Sequence, residues 1–277
     1  MAPPGADRTS GGFGLRLVSS VALAIPAIAA IIYGFPYFTV LVGLFALALA
    51  WEWSSLCAGN HFDWLVGPVL VGSVLLAVGL GAAGLAGWAL IAVVLGAALT
   101  YAGGRASERE HAVLGALGVV YVGVPCIALL WLRQQPVGGR DVVLWLVAAV
   151  VATDIGAYAV GQTVGGPRLA PRISPGKTWS GLLGGVACAA VVGAVVADWL
   201  GGARAWPLAA TSAALGVVSQ AGDLLESAVK RRFGVKDMST IIPGHGGVFD
   251  RVDGLLAAAL VVAAVTLASG GSVLSWR

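Results

Sequence analysis

Apolar residues fall in long runs along the chain, at roughly 15–33, 36–58, 62–81, 83–102, 112–132, 141–162, 179–201, 206–229 and 248–270. Each run approaches the ~20 residues that a helix needs to cross a bilayer core. The pattern predicts an all-α, polytopic integral membrane protein with about nine transmembrane helices. Only the stretch from Gly79 to Gly87 separates the third run from the fourth, so those two could merge. The opening MAPPGADRTSGG is polar and rich in Gly and Pro, and residues 1–14 are expected to form a disordered tail. The first run lacks a small-residue cleavage site and is followed at once by a second. It is expected to be a retained helix and not a signal peptide.

Composition supports this picture. Hydrophobic residues make up 58% of the 277 and charged residues only 10%, against roughly 25% charged in a soluble domain. So few charges could not cover a water-soluble globule, and so apolar a chain is not disordered. Cys57, Cys126 and Cys188 are odd in number and lie within apolar runs, which predicts buried free thiols. A net charge of +3 is too small to argue for a nucleic-acid partner, and none is expected. Nine spans would place Arg8, Arg16, Arg105, Arg109, Arg168, Arg172, Lys177, Lys230, Arg231, Arg232, Lys236 and Arg251 on one side. Arg133, Arg140, Arg204 and Arg277 would lie on the other. That imbalance puts the first set, and the N-terminus, in the cytoplasm. The preference for Arg over Lys, with abundant Ala, Gly and Val, hints at a GC-rich bacterial genome. Gly181 and Gly185 form a GxxxG step, which serves either general helix packing or a homodimer seam.

Polar residues are sparse up to about residue 150 and concentrate after it. The first 150 residues therefore read as transmembrane scaffold (15–150) and residues 151–277 as the region with the chemistry. Glu52, between Trp51 and Trp53, is the one acid inside an early span, near an interface where indoles anchor; a structural and a functional role are equally open. Asp63, Glu108, Glu110, His61 and His111 lie in or beside loops and are expected to be solvated. In the sixth run Asp154, Tyr158 and Gln162 recur at i, i+4 and i+8 on one helix face. A carboxylate inside a membrane helix is costly unless paired or wetted, and so marks a functional site.

The loop VGGPRLAPRISPGKTWSG follows. Its PGKT resembles the end of a P-loop, but Pro171 stands where the first glycine should be and no strand is expected before it, so a Walker fold is rejected. Ser174, Lys177 and Thr178 still place a cation and two hydroxyls at the start of the seventh helix, a natural phosphate seat. In the eighth run Ser219, Asp223, Glu226, Ser227 and Lys230 form one polar stripe, which must face protein or a water-filled cavity. An internal salt-bridge seam joining Lys230 to Asp223 or Glu226 is the alternative to a site. The segment KRRFGVKDMSTIIPGHGGVFDRVDG then gathers cations, His245, Asp237, Asp250, Asp253 and a Gly/Pro turn. Phosphate-gripping cations beside metal-holding carboxylates suit metal-assisted phosphoryl or nucleotidyl transfer.

At these residues the chain resembles the bacterial phosphatidate cytidylyltransferase (CDP-diacylglycerol synthase) family. Its signature of a serine, Lys-Arg, Lys-Asp, His-Gly-Gly and Asp-Arg-x-Asp is matched by Ser227, Lys230, Arg231, Lys236, Asp237, Pro243, Gly244, His245, Gly246, Gly247, Asp250, Arg251 and Asp253. SQAGDLLES and SPGKTWSG are also similar, although the family commonly has a second lysine where Gly176 stands. The likeness is dense in motifs over residues 153–254 and only architectural before them.

The resemblance implies that phosphatidate and CTP yield CDP-diacylglycerol and pyrophosphate, with Mg2+ or another divalent cation and room for a second cation. It implies a multi-pass protein of the bacterial inner membrane with its site facing the cytoplasm. Asp223, Lys230, Arg231, His245, Asp250, Arg251 and Asp253 become the expected catalytic residues. Asp154, Ser174, Lys177, Thr178, Ser227, Lys236, Gly246 and Gly247 become the expected substrate-binding residues. Asp223 and Asp250 are the foremost metal ligands, with Asp253 and Asp154 next. Two other classes fit less well. Asp250, Asp253 and Gly254 open a CDP-alcohol phosphotransferase motif, but Leu255 and Leu256 follow and no later acid completes it. An ion-coupled transporter would need matching broken helices in two halves, whereas the cations here crowd at one surface.

Overall fold

The computed structural model describes residues 22, 24–59, 61–200, 205–239, 241 and 246–275. The expected 1–14 tail lies outside them. Helices follow the apolar runs in order: α1 (Ala24–Tyr33), α2 (Tyr37–Cys57), α3 (Gly67–Ala82), α4 (Ala86–Ala106), α5 (Ala112–Gln134), α6 (Gly139–Thr163), α7 (Trp179–Trp199), α8 (Ala205–Arg232) and α9 (Phe249–Ser269). Among the described residues, seven of these are long and apolar enough to cross a membrane, and the described parts of α1 and α3 are shorter. The start of α3 is delayed because Asp63 turns the chain first, its Oδ1 accepting from the Leu65 and Val66 amides at 3.0 and 3.4 Å. The third and fourth runs do not merge. Gly84, at φ +78°, breaks them apart in a conformation that a residue with a Cβ rarely adopts.

The connection from α6 to α7 departs from the purely helical expectation. Pro167, Pro171 and Pro175 discourage helix there. The chain instead forms a small antiparallel hairpin, β1 (Arg168–Ala170) with β2 (Ser174–Thr178), pairing Arg168 with Thr178 and Ala170 with Ser174. Thr178 ends the strand and caps α7, its hydroxyl accepting from the Gly181 amide at 3.0 Å.

The buried interior includes Leu49, Leu56, Leu70, Leu130, Trp145, Leu146, Leu215 and Phe249. Large apolar side chains such as Leu44, Val94, Leu183, Val191 and Val195 are exposed around the outside, as a lipid-facing surface requires. Between lipid-bathed helices close packing of small residues matters more than apolar burial. Gly181 and Gly185 serve this within the chain, since Cβ atoms there would lie 2.8 and 2.7 Å from the backbone oxygens of Ala157 and Thr153 on α6. Cys57, Cys126 and Cys188 are free; Cys126 is buried and the other two partly so.

Contacts sort the loops into two ends. At one end Arg133 Nε and Nη2 donate to the Ile31 and Ile32 carbonyls at 2.7 and 3.2 Å. Gln134 Nε2 donates there to the carbonyls of Gly81 and Ala82 at 3.2 and 3.1 Å. These bonds satisfy carbonyls at the ends of α1 and α3 that have no partner within their own helices. At the other end Arg109 pairs with Asp63 at 2.9 Å, and the His111 ring packs edge-on against Phe233 with centroids 4.7 Å apart. Asp63 and His111 are thus engaged and not merely solvated. Arg231 Nε donates to the Ile173 carbonyl at 3.2 Å, tying the loop after α8 to the hairpin. Among the described residues, the loops after α1, α3 and α5 thus lie at one end and those after α2, α4, α6 and α8 at the other.

Candidate active site

The polar face of α8 meets the start of α9 because glycines let the helices approach. A Cβ on Gly254 would lie 2.4 Å from Ser219 Oγ, and one on Gly222 would lie 2.7 Å from Ala257 Cβ. Carboxylates from both helices are brought together as a result. Oxygens of Asp223, Glu226 and Asp253 all lie within 4.8 Å of one another, a group that could hold a divalent ion. Glu226 is 1% exposed, and its Oε1 is buried without a hydrogen-bond partner among the described residues. A buried oxygen left in that state is costly unless something supplies a charge or a donor.

Lys230 neutralises one side of this cluster. Its Nζ lies 2.6 Å from Glu226 Oε2 and 2.5 Å from Asp250 Oδ1. The other Asp250 oxygen accepts from the backbone amides of Gly247 at 2.8 Å and Met238 at 3.1 Å. Both oxygens of Asp250 are therefore engaged, and Asp250 lines the same cavity as Asp223 beside the trio that includes Glu226. The salt-bridge seam and the site coexist on one stripe.

A second cation faces Asp223. Lys177 Nζ, delivered by β2, lies 2.7 Å from Asp223 Oδ2 and 3.0 Å from Gln220 Oε1. Gln220 Nε2 in turn donates to Asp154 Oδ1 on α6 at 3.3 Å. Ser227 Oγ donates to the other Asp223 oxygen at 3.3 Å. A cavity of about 840 Å3 opens over these groups, with Asp154, Ser174, Lys177, Thr178, Asp223, Asp250, Arg251 and Asp253 in its lining. Its size suits a nucleotide or a lipid headgroup. Cations and carboxylates share its wall, so it can neutralise phosphates and hold a hard cation together.

The sequence of residues 14–268 matches the Cytidylyltransferase family. The chain belongs to that family. The phosphatidate cytidylyltransferase of Brucella suis biovar 1 (strain 1330) is 40% identical over 235 residues, covering 83% of this chain and 83% of its own. That of Brucella melitensis biotype 1 shows the same identity and coverage. The phosphatidate cytidylyltransferase of Mycobacterium leprae (strain TN) is 44% identical over 130 residues, 47% of this chain and 42% of its own.

Of the other expected residues, Ser227, Lys230, Arg231, Lys236, Gly246 and Gly247 are not in the lining of the cavity. Arg231 also donates to the Val235 carbonyl at 3.0 Å, which shapes the loop. Gly246 has φ +81°, Gly247 is buried beneath Asp250, and Lys236 is exposed on the loop. His245, Pro243 and Gly244 lie outside the described residues. Two participants carried little sequence signal. Gln220 is a neutral residue between two charged ones, though its place three residues before Asp223 put it within reach of the stripe. Glu52 was visible only as a lone acid in an apolar helix. Its neighbour Trp53 is no interface anchor: it is 3% exposed, donates to the Leu114 carbonyl at 2.8 Å and packs against Tyr121 and Phe249.

Proposed function

We propose that this protein transfers the cytidylyl group of CTP to phosphatidate, giving CDP-diacylglycerol and pyrophosphate. The observation that carries this reading is the cavity at one end of a membrane-helix bundle, lined by Lys177 and Arg251 beside Asp223 and Asp253. The relatives' names agree with it. The excess of basic residues at the cavity end supports a cytoplasmic site, where CTP is available, in a bacterial inner membrane.

The lipid phosphate oxygen forms a bond to the α-phosphorus of CTP while the bond from that phosphorus to the bridging oxygen breaks. The bonding electron pair leaves with pyrophosphate. The nucleophile is already anionic, so no strong general base is needed, and rate comes from alignment and charge neutralisation. Arg251 offers a planar, bidentate grip on phosphate oxygens, and Lys177 a point charge with three donors. Asp154 and Gln220 hold Lys177 in the cavity wall through the chain of bonds above.

Asp223, Asp253 and Glu226 would hold Mg2+, which suits hard carboxylate oxygens combined with substrate phosphates and water. Asp250 stands beside them, fixed by Lys230. Bound there, the ion would supply charge neutralisation on the triphosphate. The test is incorporation of radiolabelled CTP into lipid by purified protein supplied with phosphatidate and Mg2+. Labelled CDP-diacylglycerol and pyrophosphate should appear in equal amounts and disappear with EDTA. A purified, folded protein that forms neither product would refute the reading.

A further inference from the structure

Among the described residues, Glu52 is the one carboxylate of the first half of the bundle bonded to the site end of α9, and the catalytic scheme above does not use it. It lies within α2 and is 0% exposed. Oε1 accepts from Ser239 Oγ at 2.5 Å and from the Val248 amide at 2.8 Å. Oε2 accepts from the Phe249 amide at 2.8 Å, across 197 positions of sequence. These amides are those of the N-cap and first residue of α9, where N–H groups have no partner inside the helix. Val248, the residue before the helix, provides no side-chain cap. Glu52 therefore caps α9 from another helix, with its negative charge at the positive end of the α9 dipole.

The cap sits against the chemistry. Asp250 follows Phe249 directly, and Asp253 lies one turn further on. The loop passes between two carboxylates at Gly247, where a Cβ would be 2.8 Å from Glu52 Oε1 and 3.1 Å from Asp250 Oδ2. A turn held this tightly fixes where Asp250 receives Lys230 and where Asp253 joins the trio. We infer that Glu52 is a positioning residue for nucleotidyl transfer, a cap supplied by the N-terminal helices that sets the first turn of α9 and thereby the carboxylates it carries. The kinetic part of this inference rests on the proposed activity; the cap itself does not.

The experiment uses the full chain, purified in detergent, in the wild type, Glu52→Gln and Glu52→Asp. Glutamine keeps the size but turns an NH2 group toward one of the amide donors. Supporting groups of this kind typically cost 10–100-fold when removed, so kcat of Glu52→Gln should fall by about that factor with KM for CTP within about threefold. Glu52→Asp, which keeps the charge, should recover part of the loss. Hydrogen exchange at the Val248 and Phe249 amides should speed up in Glu52→Gln while the 168–178 hairpin is unchanged. Wild-type kcat in a Glu52→Gln protein of lowered thermal stability would overturn the positioning role, and so would unaltered exchange at both amides. If the wild type makes no CDP-diacylglycerol yet the exchange changes appear, the activity reading fails and the cap stands. Should Glu52→Gln not fold, Ser239→Ala removes one donor and leaves both backbone bonds. It should lower kcat a few-fold at constant KM, and an unchanged kcat would refute the inference.

Discussion

Replacing Asp223 by Asn separates catalytic charge from structural charge in this site. The substitution removes one negative charge from the trio whose oxygens lie within 4.8 Å and keeps side-chain size. The lost ion pair with Lys177 spans 2.7 Å, but 34% of the Asp223 side chain remains accessible. Solvent screening limits such a pair to about 1 kcal/mol or less, and an amide oxygen can still accept from Lys177. Stability should therefore change by no more than about 1 kcal/mol. Turnover should fall by at least ~100-fold, the scale for losing an electrostatic contact that matters in the transition state, equivalent to roughly 2.7 kcal/mol of barrier. The assay is CTP turnover at saturating Mg2+ alongside thermal unfolding of the same preparation. Partial recovery with Mn2+ is consistent with a weakened ion site. A folded Asp223→Asn protein with near-normal turnover would show that the trio does not hold the catalytic ion.

Lys230→Met should have the opposite balance: it leaves Glu226 and Asp250 buried and uncompensated, and should cost about 3–5 kcal/mol of stability, with Glu226→Gln added in the same chain restoring part of it. Equal stability of Lys230→Met and wild type in denaturant titration would contradict the buried seam. Sidedness is testable at Arg232→Cys in a background lacking native cysteines, because Arg232 is exposed at the cavity end. Membrane-impermeant thiol reagents should label it in inside-out vesicles and not in intact cells; labelling from outside intact cells would invert the topology.

The helices were legible because lipid enforces a simple rule: a span must be apolar and internally hydrogen-bonded. Among the described residues, the run boundaries fall within a few residues of the helices except at α3. Asp63 shortens α3 through a side-chain turn that hydrophobicity does not register. The stripe from Ser219 to Lys230 was equally legible, since a helix that buries polar groups in lipid must have partners for them. The partners themselves were harder. Periodicity shows that Asp223, Glu226 and Lys230 share a face but not which acid Lys230 chooses, and the structure gives it both Glu226 and Asp250. The β-hairpin was hidden because its three prolines announce only that helix stops. Glu52 was ambiguous because its donors are backbone amides, which have no sequence identity to read.

The close passage of α8 over α9 at Gly222 and Gly254 gives the carboxylate trio its bite. The spacing between acids on the two helices is set by two side chains that are missing, and so behaves like a ruler cut to glycine length. Alanine at Gly222 would force a methyl group against Ala257 Cβ at 2.7 Å and the Asp253 backbone oxygen at 2.9 Å. The helices would have to part, and the three acids would spread without one of them being altered. A substitution that removes no charge, no donor and no acceptor would then act as a size filter on the ion, favouring a larger cation over a smaller one.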